Sequence, residues 1–106
     1  MSYSVGFEGA NTWVIWLPFA VLTTGKPVLP QFNDDNVDLL QHDPTAGGTF
    51  NPAVGHTVFE ILEQFAVTNV TVTRTQFSVT VAAGKGQAEA EAVARFIESK
   101  GETLRA

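Results

Sequence analysis

The chain contains no cysteine, one methionine and one tyrosine. Without cysteine there is no disulfide-stapled scaffold, no cysteine-ligated zinc or iron–sulfur centre and no thiol nucleophile. Charge is scarce too: 16% of the 106 residues are charged, against roughly 25% in an average globular chain. Six Lys and Arg face 11 Asp and Glu, a formal net charge of −5. A general nucleic-acid binder needs a basic face to meet phosphates, so no nucleic acid is expected as a partner. Long hydrophobic runs are missing as well. The apolar run Trp13 to Leu22 covers ten residues and contains Pro18, whereas a spanning helix needs about 20. No basic segment precedes that run, as a signal peptide requires. The expectations are therefore no membrane, no secretion by signal peptide, and a cytoplasmic or virion-associated location.

Hydrophobic residues make up 44% of the chain, too many for wholesale disorder. The length fits one domain over residues 1–106. Charge is unevenly placed. Up to Thr24 the only charged side chain is Glu8, and the stretch is rich in aromatic and β-branched residues. It reads as one or two buried strands. Pro18 cannot donate to a ladder and implies a bulge, bend or edge. Thr23 to Pro27 is a turn by composition, and Val28, Leu29 and Phe32 follow as a short edge strand interrupted by Pro30.

Polarity then switches, and residues 33–50 form a short acidic insertion. Asn33 to Asp43 predicts a short helix with Asn33 as its cap. Asn51-Pro52 is a helix start, and Val54, Val58, Ile61, Leu62 and Phe65 recur on one face. Val67, Val70 and Val72, then Phe77, Val79 and Val81, form a hairpin. Thr71, Thr73, Ser78 and Thr80 give it a hydroxyl-rich second face. Apolar parity flips between Val72 and Phe77, so the turn falls around Arg74–Gln76. Gln87 to Lys100 is the last helix, with Ala88, Ala92, Val93, Phe96 and Ile97 as its stripe and Gly101 as its C-cap. The expected fold is α+β. A mixed or antiparallel sheet of about four strands, in the order β-β-α-β-β-α, carries two main helices on one face.

Candidate chemistry is thin. Asp34, Asp35, Asp38 and Asp43, with His42 beside them, are the candidate cation-binding residues, since carboxylates close in sequence suit Ca²⁺ or Mg²⁺. They lack the register of an EF-hand loop, and a solvated helix start is the better account of them. Neither His42 nor His56 belongs to a nucleophile motif, and no Gly-x-Ser-x-Gly elbow exists. Gly84-Lys85-Gly86 lacks the Walker spacing and reads as a turn. Asn69-Val70-Thr71 matches a glycosylation sequon but falls within a strand. No catalytic residue, metal or cofactor is expected, and the chain is read as a non-enzyme.

The surface is more informative. Trp13 and Trp16 are three apart, so in a regular strand their rings face opposite sides. One enters the core and the other is exposed or covered by a partner, unless a bulge at Pro18 buries both. Trp13, Trp16, Phe19, Phe32 and Phe50 are the candidate interface residues, because aromatics are enriched at interface cores. The hairpin edge, uncharged apart from Arg74, is poorly guarded against strand addition.

Several segments together resemble the N-terminal domain of the Nfu/NifU-type scaffold family. They are Gly25-Lys26-Pro27-Val28-Leu29, the helix led by Asn51-Pro52, Val67-Thr68-Asn69-Val70, Phe77-Ser78-Val79-Thr80-Val81 and the closing helix. The resemblance implies an accessory role in iron–sulfur cluster assembly. The cluster-binding Cys-x-x-Cys of such scaffolds lies in another domain, so cluster binding itself is not implied. The principal expectation is a protein–protein interaction or assembly module, a small structural subunit of the kind found in a virion head or tail. Its partners are other protein subunits, copies of the chain among them.

Overall fold

A computed structural model describes residues 3–21, 31–43 and 52–105. It is α+β: an antiparallel sheet of five strands in the order β1-β2-β5-β4-β3, with helices packed on it. The strands are β1 (Ser4–Gly9), β2 (Thr12–Trp16), β3 (Phe32–Asn33), β4 (Val67–Val72) and β5 (Gln76–Val81). The helices are α1 (Asp38–His42), α2 (Pro52–Gln64), α3 (Gly86–Ser99) and α4 (Gly101–Leu104). The sheet has one strand more than the four expected, because the stretch before Thr24 supplies two strands, β1 and β2; the expected edge strand is seen where Phe32 and Asn33 pair with Val70 and Asn69.

The registers explain the core. Ile15 pairs with Phe77, Trp13 with Val79, Phe32 with Val70 and Val72 with Phe77, so all of these share one face. Val54, Val58 and Ile61 of α2 and Ala90, Val93 and Ile97 of α3 are buried against it in one cluster. A bulge between Val67 and Asn69 lets Val67 and Val70 both point inward despite their odd spacing. The β4–β5 turn closes with the Thr73 amide donating to the Gln76 carbonyl at 2.9 Å, in the expected place.

Several boundaries differ from expectation. The helix expected from Asn33 is preceded by a turn, and α1 itself begins at Asp38. Asn33 caps that turn instead: its Oδ1 accepts the Asp35 amide at 2.9 Å. Gly101 does not end α3 but opens α4, which folds Leu104 into the core. The buried stripe of α3 is Ala90, Val93, Ala94 and Ile97, whereas Ala88 is exposed. Glu89 accepts the Ala66 amide at 2.8 Å and ties α3 to the start of β4. No described helix is long and apolar enough to cross a membrane. Of the segments carrying the family resemblance, 25–29 lie outside the described residues. The others fall on α2, β4, β5 and α3.

Candidate interaction surface

The surface is built on the β1–β2 hairpin. Its turn is Ala10-Asn11, between the paired Gly9 and Thr12. Both turn residues have positive φ, 51° and 64°. Two consecutive positive φ values match the right-handed twist of the strands they join. A bulge between Phe7 and Gly9 shifts the register by one, which sets Phe7 opposite Trp13, Val5 opposite Ile15 and Gly6 opposite Val14. β2 pairs residue for residue with β5 from Thr12↔Thr80 to Trp16↔Gln76, so it contains no bulge. Trp13 and Trp16 therefore do face opposite sides. Pro18 lies just beyond the strand, after the Leu17 amide has bonded to the Thr75 carbonyl at 2.8 Å.

On the helix-covered face, Trp13 is half-buried and packs on the core margin, with Phe7 tilted against it at 4.9 Å between ring centroids. Phe7 stays 65% exposed. On the other face Trp16 is 41% exposed. Its ring lies over Gly6, where a Cβ would come within 2.7 Å of ring carbon Cζ3. Val14 is buried on this face, away from the main cluster. Around it stand Thr12, Ser78 and Thr80, all half-exposed, with Thr12 Oγ1 and Thr80 Oγ1 3.2 Å apart.

β1 is the terminal strand of the sheet. Between it and α3 runs a groove of about 300 Å³, lined by Tyr3, Val5, Glu91, Ala94, Arg95 and Glu98. Tyr3 meets Phe19 edge-on, with centroids 6.2 Å apart, and the Arg105 guanidinium lies 4.5 Å over the Phe19 ring. The Tyr3 hydroxyl is buried without a hydrogen-bond partner among the described residues, as is Trp13 Nε1. Burial, and then the Glu98 carboxylate, push the Tyr3 phenol up from its ordinary value; Arg105 pulls it back and Glu102 adds to the rise.

The interface candidates thus separate. Trp16 is a surface residue. Trp13 and Phe19 are half-buried on the core margin. Phe32 is corrected to a core residue, 2% exposed, because its pairing with Val70 turns it toward the helices. Phe50 lies outside the described residues. Asp34, Asp35, Asp38 and Asp43 are exposed, and no three His, Asp or Glu side chains among the described residues gather as a metal site would require. His42 and His56 are exposed on α1 and α2. Lys85 is in a turn, its amide donating to the Ala82 carbonyl at 3.1 Å.

Another expectation also moves. β5 lies between β2 and β4, and β4 is flanked by β3 only at Val70 and Asn69, so among the described residues the full-length strand at a sheet edge is β1. Phe7, Gly6 and Tyr3 were not among the sequence candidates. Parity from the turn alone would have put Phe7 opposite Val14, on the other face; the bulge between Phe7 and Gly9, which has no signal in the sequence pattern, sets Phe7 opposite Trp13 and Gly6 opposite Val14. Compared with protein-family models, curated proteins and solved structures, the chain finds no match in any of the three.

Proposed function

We propose that the chain is a non-enzymatic interaction module that docks onto other protein subunits through the β1 edge of its sheet. A small structural subunit, such as a component of a virion head or tail, fits this reading. The observation that carries it is the position of the exposed aromatics. Of the three large apolar side chains exposed among the described residues, Phe7, Trp16 and Leu39, two belong to the β1–β2 hairpin at the terminal strand. Large aromatics beside an edge with no partner strand among the described residues combine what strand addition uses: main-chain hydrogen bonds for affinity and side-chain pockets for specificity. β1 carries one charge, Glu8, and no Lys or Pro to deter such pairing.

Photo-crosslinking tests this. A benzophenone side chain in place of Phe7 should form an adduct with a protein in extracts of the source, and one in place of exposed His56 should not. Equal labelling from both positions, or none from position 7, overturns the reading.

A further inference from the structure

One groove joins the edge of the sheet to a charged face of α3. We infer that the segment docking at β1 is an extended strand of a partner protein, with an apolar side chain flanked two positions to either side by lysine or arginine. This rests on the reading of β1 as a docking edge and names the chemistry of what docks there.

Among the described residues no strand lies beyond β1. The groove of about 300 Å³ is walled on one side by Tyr3 and Val5, and on the other by Glu91, Ala94, Arg95 and Glu98 of α3. A strand added to β1 places every second side chain on the helix-covered face. The one directly across from Val5 lies about 4.5–5.5 Å from it at Cβ, and so stands beside the groove that Val5 lines. Val5 and Ala94 offer it apolar contact there, which selects an apolar side chain.

The charges select its neighbours. Glu91, Arg95 and Glu98 are four and three residues apart, so they form one stripe along α3. Glu91 and Glu98, at the ends of the stripe, are about 10.5 Å apart along the helix axis. The next side chains on the same face of the added strand lie about 7 Å to either side of the central one. Lysine and arginine, long and flexible, reach the two carboxylates from there. Arg95 lies between the carboxylates and disfavours a cation at the central position. The pattern reads the same in both directions, so it serves parallel or antiparallel addition.

The groove carboxylates have no cation of their own. Among the described residues the ion pair is Lys100 with Glu60, 3.8 Å apart, and neither lines the groove. Glu91 accepts the neutral Gln87 amide at 2.8 Å. Arg105 is engaged over the Phe19 ring. The balance of charge beside the groove is negative. Burial raises the Tyr3 phenol first; among the charges Glu98 acts on it more strongly than Arg105, and Glu102 adds to the rise. The chain as a whole carries −5, so a basic segment is also drawn to it at a distance.

The test uses the full chain and a capped heptapeptide with valine at its centre, lysine two positions to either side and threonine elsewhere. One counterpart carries glutamate in place of lysine, and another has its backbone amides methylated. In residue-resolved NMR, the lysine peptide should shift the amides of Val5, Gly6 and Phe7 together with those of Glu91 to Glu98. It should bind at least about fivefold more tightly than the glutamate peptide, and rising salt should narrow the difference. Glu91→Gln combined with Glu98→Gln should remove the preference, with circular dichroism unchanged. Equal binding of the lysine and glutamate peptides, or a preference that survives the two substitutions, overturns the basic pattern. Undiminished binding of the methylated peptide overturns strand addition. If the lysine peptide leaves β1 unshifted while the position-7 photo-adduct forms, this inference fails and docking at β1 stands. If neither occurs, both readings fail.

Discussion

Replacing Tyr3 by Phe should leave the fold as stable as before or stabilise it, although the change removes a polar group from the wall of the groove. The Tyr3 hydroxyl oxygen is buried and no described residue accepts or donates to it. An unsatisfied buried polar group costs about 1–3 kcal/mol. The residue as a whole is only partly buried, so the lower end applies, and Tyr3→Phe should recover about 1 kcal/mol, or about 4 °C in a chain of this size. The gain should depend on pH. Burial and the Glu98 carboxylate hold the phenol above its ordinary value, so the hydroxyl stays protonated in the fold while the unfolded chain ionises near about pH 10. A group with a raised folded pKa keeps its contribution below the unfolded pKa. It loses it as pH rises through the folded one. The parent protein should accordingly weaken above about pH 10, and Tyr3→Phe should not weaken through this group. Tyr3 is the only tyrosine, so phenolate absorbance during an alkaline titration of dilute chain reports it directly, and urea melts supply the stability. A loss of about 1 kcal/mol or more on Tyr3→Phe, or a phenol titrating at or below its ordinary value, would refute the argument.

The same hydroxyl sits 2.6 Å from where a Cβ on Gly101 would be. Gly101→Ala should destabilise the parent, and a double-mutant cycle with Tyr3→Phe should recover about 0.5 kcal/mol or more. Ala10 holds a left-handed conformation at φ 51°. Ala10→Gly should raise the melting temperature, with a gain of about 1 kcal/mol in urea melts, because that conformation strains a side-chain-bearing residue. Glu89→Ala should cost about 1–3 kcal/mol by orphaning the Ala66 amide, and Glu89→Gln less. Calcium or magnesium should leave the melting temperature unchanged, because the described acidic side chains of residues 34–43 do not converge.

Where periodicity was strong, sequence and structure agree. Val70 to Val81 alternate cleanly, and the parity break between Val72 and Phe77 located the turn. The spacing of Trp13 and Trp16 was enough to put their rings on opposite faces, given a strand without a bulge. Where a small residue carried the decision, the pattern was silent. Gly9 and Asn11 could have marked the first hairpin's turn, but the bulge between Phe7 and Gly9 that puts Phe7 on Trp13's face leaves no trace in the pattern. In α3 the alanines gave little hydrophobic contrast. Phe96 drew the expected stripe toward itself, yet it packs against Phe65 on the core margin, 5.4 Å between centroids. Phe32 looked like surplus aromatic surface because its strand is only two residues long, too short to show alternation. Glu89 shows the limit of charge as a guide: its carboxylate is spent on an amide 23 residues away. The groove could not be seen at all from sequence, since it exists only where β1 comes to lie beside α3.

The most direct measurement is residue-resolved amide hydrogen exchange of the chain with and without the protein captured from position 7. The account predicts that protection rises on its addition along β1, from Val5 to Glu8, and stays constant in α2. Protection that is unchanged along β1, or that rises in α1 and α2 instead, would contradict it.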